Sequence, residues 1–319
     1  MKKILITGTG GFIFSNFIRK AVFEKHPYNF ISVDKVTKTS VLNNIYQNKH
    51  HTFYFGDVAD THFINTLFEY EKPDIVIHGA AESSVDASLK DPNVFIKSNV
   101  LGTQVIVNAC VKWNVERLIY VSTDEVYGQL KSESEPSWTE NSPLDPRNPY
   151  SASKAAGELV VKAASESFGL KYNITRSSNN YGPRQTCDKL IPKTIKSIIT
   201  NTPIEVYGAG LQIRDWTYVL DNCGAILSIL KNGKENETYN ISANQEMSNI
   251  EIIQKICNRM GKGHNLITNI KDPRGSHDFR YSIDTSKIRS LGWKPEYSLP
   301  EGLDLCVNWF QNNLWWFKE

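Results

Sequence analysis

Two short groups of residues in this sequence could carry out proton chemistry. Thr123, Asp124 and Glu125 place a hydroxyl beside two carboxyls, and Tyr150 and Lys154 place a phenol and an amine four positions apart. In a helix, residues four apart project from one face, and a nearby ammonium lowers the pKa of a phenol. The spacing therefore predicts that Tyr150 acts as a base near neutral pH. Two adjacent carboxyls repel each other, which separates their pKa values, so one can act as an acid and the other as a base.

A glycine-rich turn near the start of the chain predicts a dinucleotide site. Residues 1–7 form a short apolar strand pattern, three glycines follow within residues 8–11, and an apolar helix pattern comes next. In this fingerprint the backbone approaches a pyrophosphate, and the helix N-terminus presents free N–H groups to it. Asp34 ends the second apolar strand, where a carboxylate accepts hydrogen bonds from ribose hydroxyls and repels a 2′-phosphate. NAD is therefore predicted over NADP, although the cation Lys35 adjoins Asp34.

Alternating strand and helix patterns through the first half of the chain predict its fold class. Apolar runs of strand length occur near residues 3–7, 30–33, 52–55, 74–78, 117–122 and 172–176. This alternation is typical of an α/β, Rossmann-like, doubly wound parallel sheet, whose ligands lie at the carboxyl ends of the strands. The second half has more Pro and Gly punctuation and predicts a smaller C-terminal substrate-binding lobe. We expect an NAD-binding domain at residues 1–178 and a nucleotide-sugar-binding lobe at residues 179–319, with a part near residues 217–245 returning to the first domain.

Composition argues against nucleic-acid and membrane partners. The chain has 319 residues, is 40% hydrophobic and carries a formal net charge of +2, which gives no pull toward either surface. We expect no apolar run of membrane-spanning length, and residues 1–3 lead directly into a strand instead of a signal peptide. The five cysteines are scattered, and the seven histidines form no ligand-like cluster. These counts predict reduced thiols, no metal site and a cytoplasmic location.

The sequence resembles the extended short-chain dehydrogenases/reductases, and most closely the dTDP-glucose 4,6-dehydratase family. Besides the glycine turn, the motifs that carry this resemblance are residues 80–86 (AAESSVD), 98–103 (SNVLGT), 121–128 (VSTDEVYG), 148–154 (NPYSASK), 176–183 (RSSNNYGP), 189–192 (KLIP), 206–216 (VYGAGLQIRDW), 239–241 (YNI) and 291–295 (LGWKP). Several of them belong to the wider superfamily. The adjacent Asp124 and Glu125 discriminate, because related epimerases and decarboxylases usually lack this acid pair.

The resemblance implies a catalytic group made of Thr123, Asp124, Glu125, Tyr150 and Lys154. In the implied reaction Tyr150 removes the O4 proton of the sugar while a hydride passes from C4 to NAD, and Lys154 and Thr123 hold the developing oxyanion. Glu125 then abstracts the C5 proton, Asp124 protonates the departing C6 hydroxyl, and the hydride returns to C6. The sum is loss of water with the cofactor regenerated.

The resemblance also implies which residues hold the ligands. For the cofactor NAD they are Gly8, Gly11, Phe12, Ile13, Asp34, Lys35, Asp57, Val58, Gly79, Ala80, Ala81, Ser98, Tyr150, Lys154 and Asn180. For a nucleotide-diphospho-sugar substrate they are Ser83, Thr123, Asn179, Lys189, Leu190, Tyr207, Arg214, Arg274 and His277. Relatives pair the helices equivalent to residues 102–113 and 151–168 across a dimer interface, so a homodimer is implied as well.

Three departures from the family pattern affect the ligands. Phe14 stands at the third glycine position of the fingerprint, which serves helix–strand packing; Ser84 stands where a histidine is common; and the loop after Asp34 is short. These departures leave dTDP-glucose, UDP-glucose and a UDP-N-acetylhexosamine open as substrates. Two other functions are alternatives: a nucleotide-sugar 4-epimerase or decarboxylase on the same scaffold, and a non-catalytic NAD-sensing regulator. The presence of both Tyr150 and Lys154 argues against the regulator.

Overall fold

Seven parallel strands form the central sheet of the protein, which a computed structural model describes for residues 1–37, 41–272, 274 and 277–318. The strands of the described residues are β1 (Lys2–Thr7), β2 (Tyr28–Asp34), β3 (His51–Phe55), β4 (Ile75–His78), β5 (Arg117–Thr123), β6 (Tyr172–Ser177), β7 (Asn179–Tyr181), β8 (Ile204–Tyr207), β9 (Ile213–Tyr218), β10 (Glu237–Ile241), β11 (Glu246–Ser248) and β12 (Ile267–Ile270). The central sheet has the order β3-β2-β1-β4-β5-β6-β10.

The central strands are apolar because both faces of the sheet are covered. In β1 and β4, residues such as Ile4, Leu5 and Val76 have no exposed surface, as expected for a parallel sheet between two helical layers. All six strands predicted in the first half are present, and the predicted α/β parallel sheet is confirmed. The sheet also takes in β10 from the second half, which pairs with β6. The division at residue 178 stays a prediction.

Helices cover both faces of this sheet. The α-helices of the described residues are α1 (Phe12–Phe23), α2 (Thr61–Glu71), α3 (Val85–Lys90), α4 (Pro92–Phe95), α5 (Gly102–Lys112), α6 (Pro149–Phe168), α7 (Leu190–Thr200), α8 (Val219–Asn232), α9 (Asn249–Met260), α10 (Ser286–Arg289) and α11 (Leu299–Asn312). Helices α1 and α8 pack together on one face, and α2, α5 and α6 pack on the other.

Helix α6 carries the predicted phenol and amine. It begins at Pro149, two residues before the predicted start, because Asn148 accepts a hydrogen bond from the Ser151 N–H and Pro fits the first helical position. It ends at Phe168, as predicted, where Gly169 adopts a left-handed conformation with φ of 72°. Tyr150 and Lys154 therefore lie in the first two turns of one helix.

One helical stretch, Pro92–Lys112, is long and apolar enough to span a membrane by length and composition. The expectation that no run reaches this length is therefore wrong. A π-helical segment, Ile96–Leu101, joins α4 to α5 and makes the helix continuous. More than half of the apolar window is buried inside the protein, where α5 packs on α6 and α2. Its apolar character is that of a core helix.

The second half of the chain builds a smaller lobe with its own core. A three-stranded sheet, β11-β9-β7, and the pair β12-β8 lie with α7, α9 and α11 around one apolar cluster. The aromatic C-terminal segment joins this cluster: Trp316 is buried, and its indole N–H donates to the Gln185 carbonyl at 3.0 Å. The loop that contains Gln185 is thereby tied to the C-terminal segment.

Candidate active site

Two adjoining cavities open at the carboxyl ends of the central strands, where a doubly wound sheet places its ligands. The smaller has a volume of about 200 Å³ and is lined by residues after β1, β2 and β4. The larger has a volume of about 430 Å³ and is lined by both lobes. Ser83, Gln185 and Lys189 line both cavities, so the two spaces meet at these residues.

The smaller cavity gathers most of the residues predicted to bind the dinucleotide. Its lining includes Gly8, Gly11, Phe12, Ile13, Asp34, Lys35, Val58, Gly79, Ala80, Ala81, Ser98, Tyr150 and Lys154. Two predicted residues lie elsewhere. Asp57 accepts a hydrogen bond from the Ala59 N–H and lies 3.6 Å from Lys35, and Asn180 lines the larger cavity.

The backbone of this cavity fits a dinucleotide. Gly8 has φ of +83°, and a Cβ built on it would lie 2.8 Å from the Ala80 nitrogen, so only glycine fits there. Helix α1 begins after Gly11 without a side-chain cap and without an acidic residue in its first turn. Its free N–H groups and positive dipole end suit a pyrophosphate.

Asp34 and Lys35 set the charge at the ribose end of the cavity. The Asp34 carboxylate is buried and accepts hydrogen bonds from the Gly10 and Val36 N–H groups at 2.8 and 2.7 Å. Lys35 is turned toward Asp57 and Glu82, at 3.6 and 3.9 Å. A cation held between carboxylates is poorly placed to attract a 2′-phosphate, which agrees with the preference for NAD over NADP.

Phe14 fills the place of the missing third glycine. The ring is almost fully buried and packs against Gly79 at the end of β4. Phe14 and Gly79 both line the smaller cavity. The aromatic ring is therefore accommodated beside the cavity by the absence of a side chain at Gly79.

The larger cavity collects the predicted substrate residues. Its lining includes Ser83, Glu125, Asn179, Lys189, Leu190, Tyr207, Arg214, Arg274 and His277. Thr123 lies beneath the lining, where it is 8% exposed. Its hydroxyl accepts from the Glu125 N–H and donates to Asp124, both at 3.3 Å, and it also lies within hydrogen-bond reach of Tyr150.

The two adjacent carboxyls occupy different environments. Asp124 is 3% exposed, and its Oδ2 has no hydrogen-bond partner among the described residues. Burial and the charge of Glu125 raise the pKa of Asp124 to about 8, so it holds a proton at neutral pH. Glu125 lines the larger cavity, and burial raises its pKa, while a hydrogen bond from Asn148 and the charge of Arg214 lower it. The arrangement gives a protonated acid beside a second carboxyl that accepts a hydrogen bond from Asn148.

The expectation that Lys154 lowers the pKa of Tyr150 is wrong. Burial raises the pKa of Tyr150, and the charges of Glu125 and Asp124 raise it further, against a hydrogen bond with Thr123. The Lys154 ammonium lies over the Tyr120 ring, 4.2 Å from its centroid. Burial lowers the pKa of Lys154 to about 7. Desolvation therefore outweighs the attraction that the sequence spacing suggested.

Arg214 presents a buried cation to the substrate cavity. Its guanidinium donates to the carbonyls of Ile213, Asp278 and Phe279 at 2.7 to 3.2 Å and lies 4.2 Å from the centre of the Tyr281 ring. No carboxylate within the described residues forms an ion pair with it. A buried guanidinium held by carbonyls suits a diphosphate.

Arg274 and His277 reach across the mouth of the same cavity. Arg274 forms an ion pair at 2.8 Å with Asp86, which belongs to the first lobe. His277 lies 3.0 Å from the Arg274 guanidinium and 2.5 Å from Asp272. The residues between Arg274 and His277 lie outside the described residues. The contact with Asp86 places both predicted residues at the boundary between the lobes.

Sequence reasoning missed several residues that line the larger cavity, among them Asp86, Arg147, Asn148, Gln212 and Tyr281. Asp86, Asn148 and Gln212 lie within motifs that carry the family resemblance, and an Asn before Pro also marks the start of a helix. Arg147 pairs with Asp278 at 2.9 Å, a contact between residues far apart in the chain. No local pattern indicates contacts of this kind.

Known proteins resemble this chain over almost its whole length. Residues 5–306 match the family described as GDP-mannose 4,6 dehydratase. A dTDP-glucose 4,6-dehydratase from Haemophilus influenzae is 40% identical, covering 98% of this chain and 99% of that protein. The low-salt glycan biosynthesis protein of Haloferax volcanii is 38% identical, covering 96% of this chain and 98% of that protein.

Solved structures agree with these sequence matches. A dTDP-glucose 4,6-dehydratase from Streptomyces venezuelae, crystallised with NAD, superposes with a TM-score of 0.93 at 36% identity and covers 98% of each chain. A UDP-glucose 4-epimerase from Thermotoga maritima, crystallised with UDP-glucose, superposes with a TM-score of 0.91 at 27% identity, covering 98% of this chain and 99% of that one. The shared fold therefore extends to proteins with a different reaction.

Proposed function

Because the chain belongs to the GDP-mannose 4,6-dehydratase family, we propose that it is an NAD-dependent nucleotide-sugar 4,6-dehydratase that converts dTDP-glucose to its 4-keto-6-deoxy product. The observation that carries the reaction type is the acid pair, with Asp124 held protonated beside Glu125. An epimerase needs oxidation and reduction at C4 and has no use for a second acid and base. The choice of dTDP-glucose is supported by the relatives that carry this activity in their names.

The residues that line the smaller cavity would hold NAD, with the α1 N-terminus at the pyrophosphate and Asp34 at the ribose. When bound, NAD supplies the acceptor for the C4 hydride and the donor that returns it to C6. The chain's own residues supply the proton transfers. Tyr150 would take the O4 proton as a phenolate. Because burial raises its pKa, this form depends on the positive charges of Lys154 and of the bound cofactor. Lys154 and Thr123 would also stabilise the charge that develops while the O4 proton moves.

Elimination follows from the 4-ketone, which acidifies the C5 hydrogen. Glu125 takes the C5 proton, the C6–O bond breaks, and Asp124 gives its proton to the departing hydroxyl, which leaves as water. A proton returns to C5 when C6 is reduced, so the product is the substrate minus one water. Arg214 and Lys189 line the cavity as the cations that would hold the diphosphate.

The experiment that tests this function is incubation of the purified protein with a panel of dTDP-, UDP-, GDP- and CDP-hexoses. Loss of water by mass, with the alkaline chromophore of a 4-keto-6-deoxy sugar, is expected for dTDP-glucose. Turnover of UDP-glucose or a UDP-N-acetylhexosamine in its place would revise the substrate. A C4 epimer without loss of water would replace the dehydratase by an epimerase, and binding of NAD without turnover of any sugar would favour a regulator.

A homodimer through α5 and α6 is part of the proposal. Leu159 and Phe168 are 60% and 69% exposed on α6, and they line a shallow groove with Gln104 of α5. Exposed apolar side chains that line one groove are typical of an interaction site. Light scattering at micromolar concentration should give twice the chain mass, and Leu159→Glu should give a monomer. A monomeric wild type would contradict the proposal.

We also assign the protein to the cytoplasm. Four of the five cysteines are buried as free thiols, which suits a reducing compartment. Fractionation of cells that produce the native chain, followed by detection of the protein in the soluble cytoplasmic fraction, tests this location.

A further inference from the structure

The Asn148 side chain contacts both Glu125, the proposed base for the C5 proton, and α6, the helix that carries Tyr150. Its Oδ1 accepts a hydrogen bond from the Ser151 N–H at 2.9 Å, which caps α6. Its Nδ2 donates to the Glu125 Oε2 at 3.1 Å. Tyr150 and Lys154 follow directly in the same helix. One amide group therefore contacts both parts of the site.

The cap fixes which way this amide faces. The first N–H groups of a helix need an acceptor, so the oxygen of Asn148 must face Ser151 and the NH₂ group must face Glu125. An NH₂ group only donates, and so it favours the ionised, accepting form of the carboxylate. The orientation needed to cap the helix is thus also the orientation that suits a base at Glu125.

We propose that Asn148 is a positioning residue that holds the Glu125 carboxylate as an acceptor at a fixed place relative to α6. This inference rests on the proposed function, in which Glu125 abstracts the C5 proton. The cation nearest in the chain to the contact, Arg147, is already paired with Asp278. Asn148 is the only residue of the described chain for which a side-chain hydrogen bond to the Glu125 carboxylate is seen.

The electrostatics of Glu125 agree with this role. Burial raises the pKa of Glu125, and the hydrogen bond from Asn148 is the strongest influence that lowers it. The other charged and titratable groups that act on or respond to Glu125 are Asp124, Tyr150, Lys189, Arg214, Asp278 and Tyr281. Loss of the Asn148 donor should therefore leave Glu125 protonated up to a higher pH.

Two substitutions separate the donor from the cap. Asn148→Ser keeps a short oxygen acceptor for the helix and removes the NH₂ group. Asn148→Asp keeps the cap and places a second carboxylate against Glu125. The matched control is Ser151→Ala, because the Ser151 hydroxyl completes the capping box by accepting from the Asn148 N–H at 3.2 Å without contact to Glu125.

The measurement is single-turnover elimination from dTDP-glucose in deuterated water as a function of pH, with incorporation of deuterium at C5 as the readout. We expect the acidic limb to move up by roughly one pH unit in Asn148→Ser, and further in Asn148→Asp. Above the shifted limb the Ser variant should recover to within a few-fold of wild type. Ser151→Ala should lower the melting temperature and leave the limb in place.

Each contrary result has its own meaning. An unmoved limb in Asn148→Ser, or a loss of rate that is uniform with pH, overturns the positioning role. A raised KM with an unmoved limb overturns it in favour of direct substrate contact. If Glu125→Gln itself incorporates deuterium at C5 at the wild-type rate, the assignment of the base in the proposed function fails, whatever Asn148 does.

Discussion

The ring of Phe14 occupies the space that a side chain at position 79 would need. A Cβ built on Gly79 would lie 1.9 Å from the Phe14 Cε2, far inside van der Waals contact. The two residues lie on α1 and directly after β4, and both line the smaller cavity. The aromatic ring and the glycine are therefore one packing unit at the wall of the cofactor site.

A double-mutant cycle tests this unit. Gly79→Ala should cost about 1–3 kcal/mol of unfolding free energy through overpacking, and Phe14→Ala about 3–5 kcal/mol through the cavity it leaves. The double variant should cost at least ~1 kcal/mol less than the sum, because the new methyl group enters the vacated space. Denaturant unfolding gives the energies, and NAD retained after purification gives the effect on the site. Additive costs would mean that the two residues do not share this space.

The role proposed for Glu125 predicts that a variant without this carboxylate stops after C4 oxidation. Glu125→Gln keeps the size of the side chain and its contact with Asn148, and it removes the base for the C5 proton. C4 oxidation should continue, so the absorbance of reduced nicotinamide should build up after substrate is added, without loss of water. Turnover within a few-fold of wild type would show that Glu125 is not the base.

The proton held by Asp124 predicts that the rate of elimination falls at alkaline pH. Its pKa is raised to about 8, and elimination needs its proton, so the rate of water loss should fall as the pH rises through about 8. Oxidation of a 6-deoxy sugar nucleotide, which cannot lose water, should not follow this limb. Parallel pH profiles for the two reactions would exclude Asp124 as the acid.

The carboxyl of Asp124 also makes the free energy of unfolding decrease as the pH rises. Its pKa in the folded protein lies above the ordinary value of 3.8, so its contribution to stability is complete below that value and is lost as the pH rises through about 8. Asp124→Asn removes this loss. The unfolding free energy of the variant relative to wild type should therefore increase between these two pH values, by about 1.4 kcal/mol per pH unit.

Substitutions of Lys154 and of Tyr150 should have different effects on NAD retention and on C4 oxidation. Both line the smaller cavity, but only Lys154 brings a donor for ribose hydroxyls together with a positive charge. Lys154→Met should lower both NAD retention and C4 oxidation, whereas Tyr150→Phe should retain NAD and lose the oxidation. Absorbance after purification and single-turnover oxidation of a 6-deoxy sugar nucleotide distinguish the two. Near-wild-type oxidation in both variants would refute the assignment of the catalytic pair.

Local patterns in the sequence were sufficient for the sheet and for most of the cofactor cavity. Strands buried on both faces are continuous apolar runs. Gly8 directly follows β1, and Asp34 is the last residue of β2. Parallel strands bring their carboxyl ends to one edge, so residues after β1, β2 and β4 had to converge. The residues that line the smaller cavity after these strands are those that the pattern indicated.

Properties that depend on burial or on distant contacts could not be predicted in this way. The pKa of Tyr150 moves opposite to the expected direction because burial dominates, and spacing contains no information on burial. The compensation of Phe14 by Gly79 joins residues 65 positions apart in the chain, and the Asp86–Arg274 ion pair joins residues of both lobes. Such pairs are set by the way elements pack, which no window of the sequence contains.

The loop with Gln185 and Lys189 forms a wall of both cavities, and thermodynamic linkage gives that shared wall a consequence. Any free energy by which a sugar nucleotide prefers the NAD-loaded protein appears, by reciprocity, as tighter retention of NAD in the sugar-loaded protein. NAD is then bound most tightly while the sugar nucleotide is also bound, which is the interval between removal of the hydride from C4 and its return to C6. The shared wall would let a dissociable cofactor behave, during each turnover, as a prosthetic group.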